Sequence, residues 1–252
     1  MPTSPNATDL HGKVALVTGG SRGIGAAIAR QLAAAGADVA LTYARSAEKA
    51  QGVVADIEAK GRRAMAIQAD NLDAKAVEAA VTKTVSSFGR LDILVNSAGI
   101  WHAGTIDTVT LAELDAVMSV NFRAPFIASR AASGVMPEGG RIISIGSNLA
   151  DRVPFEGIGL YSASKAALVG LTKGLARDLG PRGITVNIVH PGSTDTDMNP
   201  AEGDGADHQR NLMAIPRFGS PDDVAGLVTW LAGPQGRFVT GAALTIDGGT
   251  NA

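Results

Sequence analysis

The chain has 252 residues, 45% of them hydrophobic, and a net charge of −2, which suits one well-buried α/β domain and is short for two. So small a charge gives no reason to expect nucleic acid or an anionic membrane as a partner. Cysteine is absent, so disulfide and thiolate chemistry are excluded, and His11, His102, His190 and His208 lack metal-ligand spacing, so no metal site is expected.

Residues 1–10 form a polar, Pro-containing leader unlike a signal peptide, expected to be flexible, with a single domain over 11–252. No apolar run approaches membrane-spanning length, so a soluble cytoplasmic protein is expected. Residues 14–18 read as a buried strand, followed by Gly19-Gly20-Ser21-Arg22-Gly23-Ile24-Gly25 and a helical run over 26–35. A strand entering a helix through a glycine turn is the opening of a dinucleotide-binding unit. Gly19 permits the tight turn, Gly23 lets backbone approach a pyrophosphate, and Gly25 lets helix and sheet pack closely. The helix N-terminus then offers free N–H groups and its positive dipole end to the phosphates.

Further strand-like runs at 39–43, 64–68, 93–96, 141–145, 185–189 and 242–246 alternate with helical stretches. That rhythm predicts an α/β fold, a Rossmann-type doubly wound parallel sheet of about seven strands, with helices on both faces and ligands at the carboxyl ends of the strands. Gly19, Asn96, Ser147 and Pro191 fall at such ends. Tyr161 and Lys165 stand four positions apart at the start of a helix carrying Leu168, Leu171, Leu175 and Leu179, so both project from one face. A phenol ionises near pH 10, and an ammonium beside it is expected to favour the phenolate. Beyond Pro191, residues 195–209 carry Asp195, Asp197, Glu202, Asp204 and Asp207 with no Lys or Arg. This is either a solvated loop or part of a mobile substrate lid spanning about 195–213.

In order and distance these motifs resemble the short-chain dehydrogenase/reductase family, over nearly the whole chain from Gly12 to Gly249. T-G-x-x-x-G-x-G runs from Thr18 to Gly25, and N-[NS]-A-G is Asn96-Ser97-Ala98-Gly99. The family Asn falls at Asn121 and its Ser at Ser147. Its Y-x-x-x-K is Tyr161 to Lys165, and P-G-x-x-x-T runs from Pro191-Gly192 through Thr194 to Thr196. Ser147 precedes Tyr161 by fourteen positions, where many relatives have one fewer. Ser144 competes for the role but should lie inside the strand.

The resemblance implies hydride transfer between a nicotinamide and a carbonyl or alcohol. Tyr161 would donate a proton to the carbonyl oxygen, and Ser147 would hold that oxygen. Lys165 would bind the nicotinamide ribose and lower the Tyr161 pKa, and Asn121 would position a water in a relay ending at Lys165. Thr196, with Thr194, would bind the carboxamide. Besides the glycine turn, with Ser21 and Ile24, the implied cofactor contacts are Tyr43, Arg45, Ser46, Asp70, Asn71, Asn96, Ala98, Gly99, Pro191 and Gly192. Tyr43 stands where NAD-preferring relatives carry Asp, and Arg22 and Arg45 suit a 2′-phosphate, so NADPH is expected over NAD. Asp70 either contacts the adenine or caps the next helix.

Ile100, Trp101 and His102, with Val153 and Phe155, lie in two segments that should border the site; Trp101 fits packing equally well, and His102 fits a solvated loop better than a substrate contact. Sequences of this type also resemble 3-oxoacyl carrier-protein reductases, and Arg182 matches a carrier-docking position. Glu138 stands where another base usually occurs and would repel an acidic carrier. The expected function is an NADPH-dependent carbonyl reductase acting on a small or medium ketone or ketoester. An NAD-dependent alcohol dehydrogenase and a nucleotide-binding regulatory protein are the rivals. The family further implies a homotetramer. One interface would use the helices after Asn121 and Tyr161, with Ala163, Ala166, Ala167, Gly170 and Gly174 allowing close approach; the other would use the C-terminal strand region.

Overall fold

Val14–Thr18 forms β1 with all five residues buried, as an unbroken apolar run requires when both faces of a sheet are covered. The structure, a computed structural model, describes residues 8–252. Successive β1 side chains feed different cores: Ala15 and Val17 join one, Leu16 the other. The remaining strands are β2 (Asp38–Tyr43), β3 (Ala64–Gln68), β4 (Ile93–Asn96), β5 (Arg141–Ile145), β6 (Thr185–Pro191) and β7 (Ala243–Ile246). They form one sheet in the order β3-β2-β1-β4-β5-β6-β7, every pairing parallel. This is the Rossmann-type doubly wound sheet expected from the sequence. β6 runs two residues past the expected end because His190 and Pro191 pair with Thr245 and Ile246 of β7.

The helices are α1 (Gly23–Ala34), α2 (Ala47–Glu58), α3 (Ala74–Phe88), α4 (Leu111–Met118), α5 (Ala124–Val135), α6 (Gly159–Leu179), α7 (Ala206–Asn211) and α8 (Pro221–Ala232). Ile28 and Leu32 of α1, Val53 and Ile57 of α2, and Val228 and Leu231 of α8 fill one core. Val77 and Val81 of α3, Ala128 of α5 and Leu179 of α6 fill the other. The strand order reverses between β1 and β4, which opens a crevice at their carboxyl ends. α4 runs into α5 through one π-helical turn, Ser119–Arg123, which the sequence did not signal. None of the described helices is long and apolar enough to cross a membrane.

Residues 1–7 of the expected leader lie outside the described residues. Leu10, grouped with that leader on sequence, instead belongs to the folded unit. Its side chain is 1% exposed in the α1 core, and its N–H donates to the Ala35 carbonyl at 2.8 Å. A single apolar residue ending a polar run has enough area to anchor itself there.

Candidate active site

The carboxyl ends of the strands enclose a cavity of about 980 Å³. The turn after β1 shapes its centre. Gly19 has φ +66°, and a Cβ there would lie 2.8 Å from the Ala98 Cα, so the exits of β1 and β4 touch backbone to backbone. A Cβ at Gly25 would meet the Gly19 carbonyl oxygen at 2.4 Å, so α1 starts directly on the turn. Arg22, the N-cap, makes no side-chain cap bond, and Ser21, Arg22, Gly23, Ile24 and Gly25 all line the cavity. An uncapped helix N-terminus behind a glycine turn fits a pyrophosphate.

At one end the wall carries Tyr43, Arg45, Ser46, Asp70 and Asn71. Ser46 is the N-cap of α2 but makes no cap bond with its hydroxyl. The two readings of Asp70 separate here. Asp73 caps α3, accepting from Lys75 and Ala76 N–H at 2.9 and 3.3 Å. Asp70 accepts from the Leu72 N–H at 3.0 Å and stays on the cavity wall.

At the other end Tyr161, Ser147 and Lys165 share the wall with Ala98, Gly99, Pro191, Gly192, Thr194 and Thr196. Lys165 is buried, and its ammonium donates to the carbonyl of Ile145, the last residue of β5, at 3.0 Å. Burial lowers its pKa to about 8. Burial also raises the Tyr161 pKa, with the Ser147 hydroxyl pulling the other way. The expectation that Lys165 lowers the Tyr161 pKa is therefore corrected. The ammonium lies 5.8 Å from the centre of the Tyr161 ring and is turned to Ile145, so desolvation dominates.

Asn121 and Asn96 stand behind the wall rather than on it. Asn121 sits in the π-turn, fully buried. Its Oδ1 accepts from the Ile100 N–H at 2.9 Å, and its Nδ2 donates to the Ile100 carbonyl and Ser164 Oγ, both at 3.0 Å. The side chain thus locks a loop to α6, with both of its amide protons engaged. Asn96 donates to Ser129 Oγ at 3.2 Å, tying β4 to α5. Ser144 lies inside β5, within 3.5 Å of the same amide, so Ser147 is the serine of the site.

Trp101 is on the wall, its ring 4.7 Å from that of Tyr161 and tilted by 54°. Phe155 lines the cavity, whereas Val153 is exposed and His102 turns to Glu113 at 3.3 Å. Arg182 donates to the Ser133 and Met136 carbonyls at the end of α5. The 195–213 segment is more structured than a loop. It contains α7 and a small core of Ala206 and Met213 with Phe218, and Asp197 pairs with Lys49 of α2 at 2.7 Å. Sequence reasoning missed wall residues Asn148, Met198, Leu212 and Thr250, which reach the site from loops and the C-terminus and belong to no motif.

A doubly wound sheet whose crevice holds a glycine turn at its centre and a Tyr–Lys pair at one end is the framework of a nucleotide-dependent oxidoreductase. Residues 19–251 match the family model described as enoyl-(acyl carrier protein) reductase. The chain belongs to the short-chain dehydrogenase/reductase family. It is 49% identical over 237 residues to the cyclic-di-GMP-binding biofilm dispersal mediator protein of Escherichia coli strain K12, covering 94% of this chain and 96% of the relative. A short chain dehydrogenase from Burkholderia cenocepacia J2315, solved in complex with NADP, superposes with a TM-score of 0.95 at 65% identity, covering 96% and 99% of the two chains. A blue fluorescent protein from a metagenomic library, solved in complex with NADPH, superposes at 0.96 with 55% identity, covering 97% and 100%.

The burial of Lys165 generates a stability prediction. Its pKa is depressed in the fold to about 8 from 10.5, so between those values the unfolded chain holds the extra proton and stability rises with pH. Lys165→Met should unfold at a denaturant concentration equal to or above wild type at pH 7. The difference should shrink as pH climbs from 8 to 10. Denaturant titrations at pH 7 and pH 10 check it.

Proposed function

We propose that the protein is an NADPH-dependent carbonyl reductase acting on an uncharged ketone or ketoester. The observation that carries this reading is the convergence of Tyr161, Ser147 and Lys165 on one end of a cavity whose other end holds Arg22, Arg45 and Ser46. NADP(H) fits the residues present. The uncapped start of α1 suits the pyrophosphate, and two guanidiniums with the free Ser46 hydroxyl suit the 2′-phosphate. Asp70 and Asn71 would meet the adenine, and Pro191, Gly192, Thr194 and Thr196 the carboxamide. The NADP and NADPH complexes of the Burkholderia and metagenomic relatives support this choice.

NADPH, when bound, supplies the hydride. Tyr161 gives its phenolic proton to the carbonyl oxygen, and its raised pKa keeps that proton in place at neutral pH. Ser147 donates a hydrogen bond to the same oxygen as charge develops on it. Lys165 would hold the nicotinamide ribose. Asn121 acts as a positioning residue, fixing the Gly99–Ile100 backbone against α6 through its bonds to Ile100 and Ser164.

The substrate class follows from charge. The Lys and Arg side chains lining the cavity are Arg22, Arg45 and Lys165, all assigned to cofactor or chemistry. Arg152 donates to the Thr250 carbonyl. Among the described residues no further Lys or Arg lines the cavity to meet a carboxylate or phosphate on the substrate, while Trp101, Leu149, Pro154, Phe155, Met198 and Leu212 offer apolar contact. The 195–213 segment is the lid of the cavity, with its Asp197 paired to Lys49 of α2. The setting proposed is the cytoplasm.

A homotetramer is supported by the surface. Ala163, Ala166, Gly170 and Gly174 make an exposed small-residue face on α6. Phe126 of α5 is 43% exposed and Phe238, near the C-terminal strand, 98%.

Three outcomes test the reading. Tyr161→Phe should lower ketone reduction by roughly 10³-fold while NADPH binds as before. The check is NADPH oxidation with ethyl benzoylformate, 2,3-butanedione and acetophenone. Tight binding of NADPH and cyclic-di-GMP with no ketone reduced would put the regulatory reading in its place, the reading favoured by the name of the Escherichia coli relative. Removing both guanidiniums (Arg22→Ala with Arg45→Ala) should raise the KM for NADPH by roughly 10- to 100-fold with little effect on NADH. Light scattering should give four times the chain mass; a monomer would sink the tetramer.

A further inference from the structure

His190 is fully buried in β6, next to Pro191, and has no part in the chemistry above. β5 keeps its ladder with β6 as far as Ile145 beside Val189, and the Gly146 N–H still donates to the Val189 carbonyl at 2.7 Å. One residue later the chain leaves the sheet, and the Ser147 amide has no strand carbonyl to meet. The imidazole of His190 takes it, the Ser147 N–H lying 3.0 Å from Nδ1. The ring fits because position 146 is glycine: a Cβ there would come 2.5 Å from Nδ1 and 2.7 Å from Cε1.

We infer that His190 is a positioning residue for Ser147, a neutral Nε2–H imidazole whose Nδ1 lone pair replaces the missing strand carbonyl and fixes the serine against the substrate oxygen. The tautomer follows from the hydrogen bond, because a nitrogen that accepts carries no proton and the neutral ring must then hold it on the other nitrogen. Nε2 has no partner among the described residues, so nothing competes for the ring's orientation. An imidazolium would set an Nδ1–H against the Ser147 N–H. Burial, aided by the charge of Lys165 and opposed by that of Asp151, disfavours that form. Ser147 is held at a second point, its Oγ accepting from the Leu149 N–H at 3.2 Å. With the amide and the oxygen both fixed, the hydroxyl proton is left to point into the cavity, towards the Tyr161 phenol or the substrate oxygen.

This assignment rests on the carbonyl reductase reading, so its test carries one arm independent of turnover. His190→Leu removes the acceptor; His190→Asn returns one, with Oδ1 standing roughly where Nδ1 does. With saturating NADPH and ethyl benzoylformate, His190→Leu should lower kcat by roughly 30-fold. The KM and the NADPH Kd should stay within about twofold, and His190→Asn should recover most of the loss. Full kcat in His190→Leu, equal loss of NADPH binding and kcat, or an Asn variant no better than Leu would each overturn the assignment. Long-range ¹H–¹⁵N NMR of histidine-labelled protein should report His190 as the Nε2–H tautomer with Nδ1 unprotonated. An Nδ1–H tautomer overturns the assignment even if no ketone is reduced. The Nε2–H tautomer in a protein that reduces none supports the His190–Ser147 bond and places the failure on the reductase reading.

Discussion

Burial of the Lys165 ammonium at the cavity wall is the constraint around which the site is built. Taking such a charge out of water costs several kcal/mol even after relaxation, so the surroundings must supply a dipole. The carbonyl of Ile145 does so at 3.0 Å, and that bond sets how α6 lies across the end of β5. Ser164, the neighbour of Lys165, donates to the Tyr161 carbonyl at 2.7 Å and accepts from Asn121. Asn121 in turn pins both backbone groups of Ile100. One network thus joins the loop after β4, the α4–α5 helix and α6. The π-turn is the local distortion that places Asn121 in it.

Ser147 is held on different terms. Its backbone leaves the sheet, and a parallel strand that ends there must satisfy its next amide from a side chain or from water. Here an imidazole from the neighbouring strand does it. Lys165 and Ser147 are therefore anchored to adjacent strand ends, Lys165 through β5 and Ser147 through β6. Their separation is set by the spacing of the sheet rather than by a flexible loop.

The strands were legible because each is a short apolar run that alternation and turn residues bound. β1, β3, β4 and β5 begin and end where the sequence puts them. The glycine turn and the Tyr161–Lys165 pair were legible because strand, turn and helix follow one another locally. What escaped depends on contacts distant in sequence. Residues 119–123 look like ordinary helix, and only their packing on Ile100 and Ser164 produces the π-turn. Asn96 ends a strand like its motif partners, yet its amide faces the interior. His190 was visible as a lone histidine without metal spacing, but its partner Ser147 is 43 positions away. The direction of the Tyr161 shift was misjudged because a sequence gives the spacing of a cation and not the depth of burial or the carbonyl that engages it.

Nucleotide binding alone would not need this arrangement. A phosphate cradle requires the glycine turn, the start of α1 and the guanidiniums, all at the centre or the adenosine end of the cavity. The chemical end adds a buried ammonium, a half-buried phenol whose ionisation is opposed, and a buried imidazole with one nitrogen unpartnered among the described residues. Each is a liability that a well-packed apolar residue would remove. Proteins hold such groups in the interior chiefly where function needs them. Their concentration within one turn of α6 and two strand ends supports the proposal that this crevice carries out a reaction rather than nucleotide binding alone.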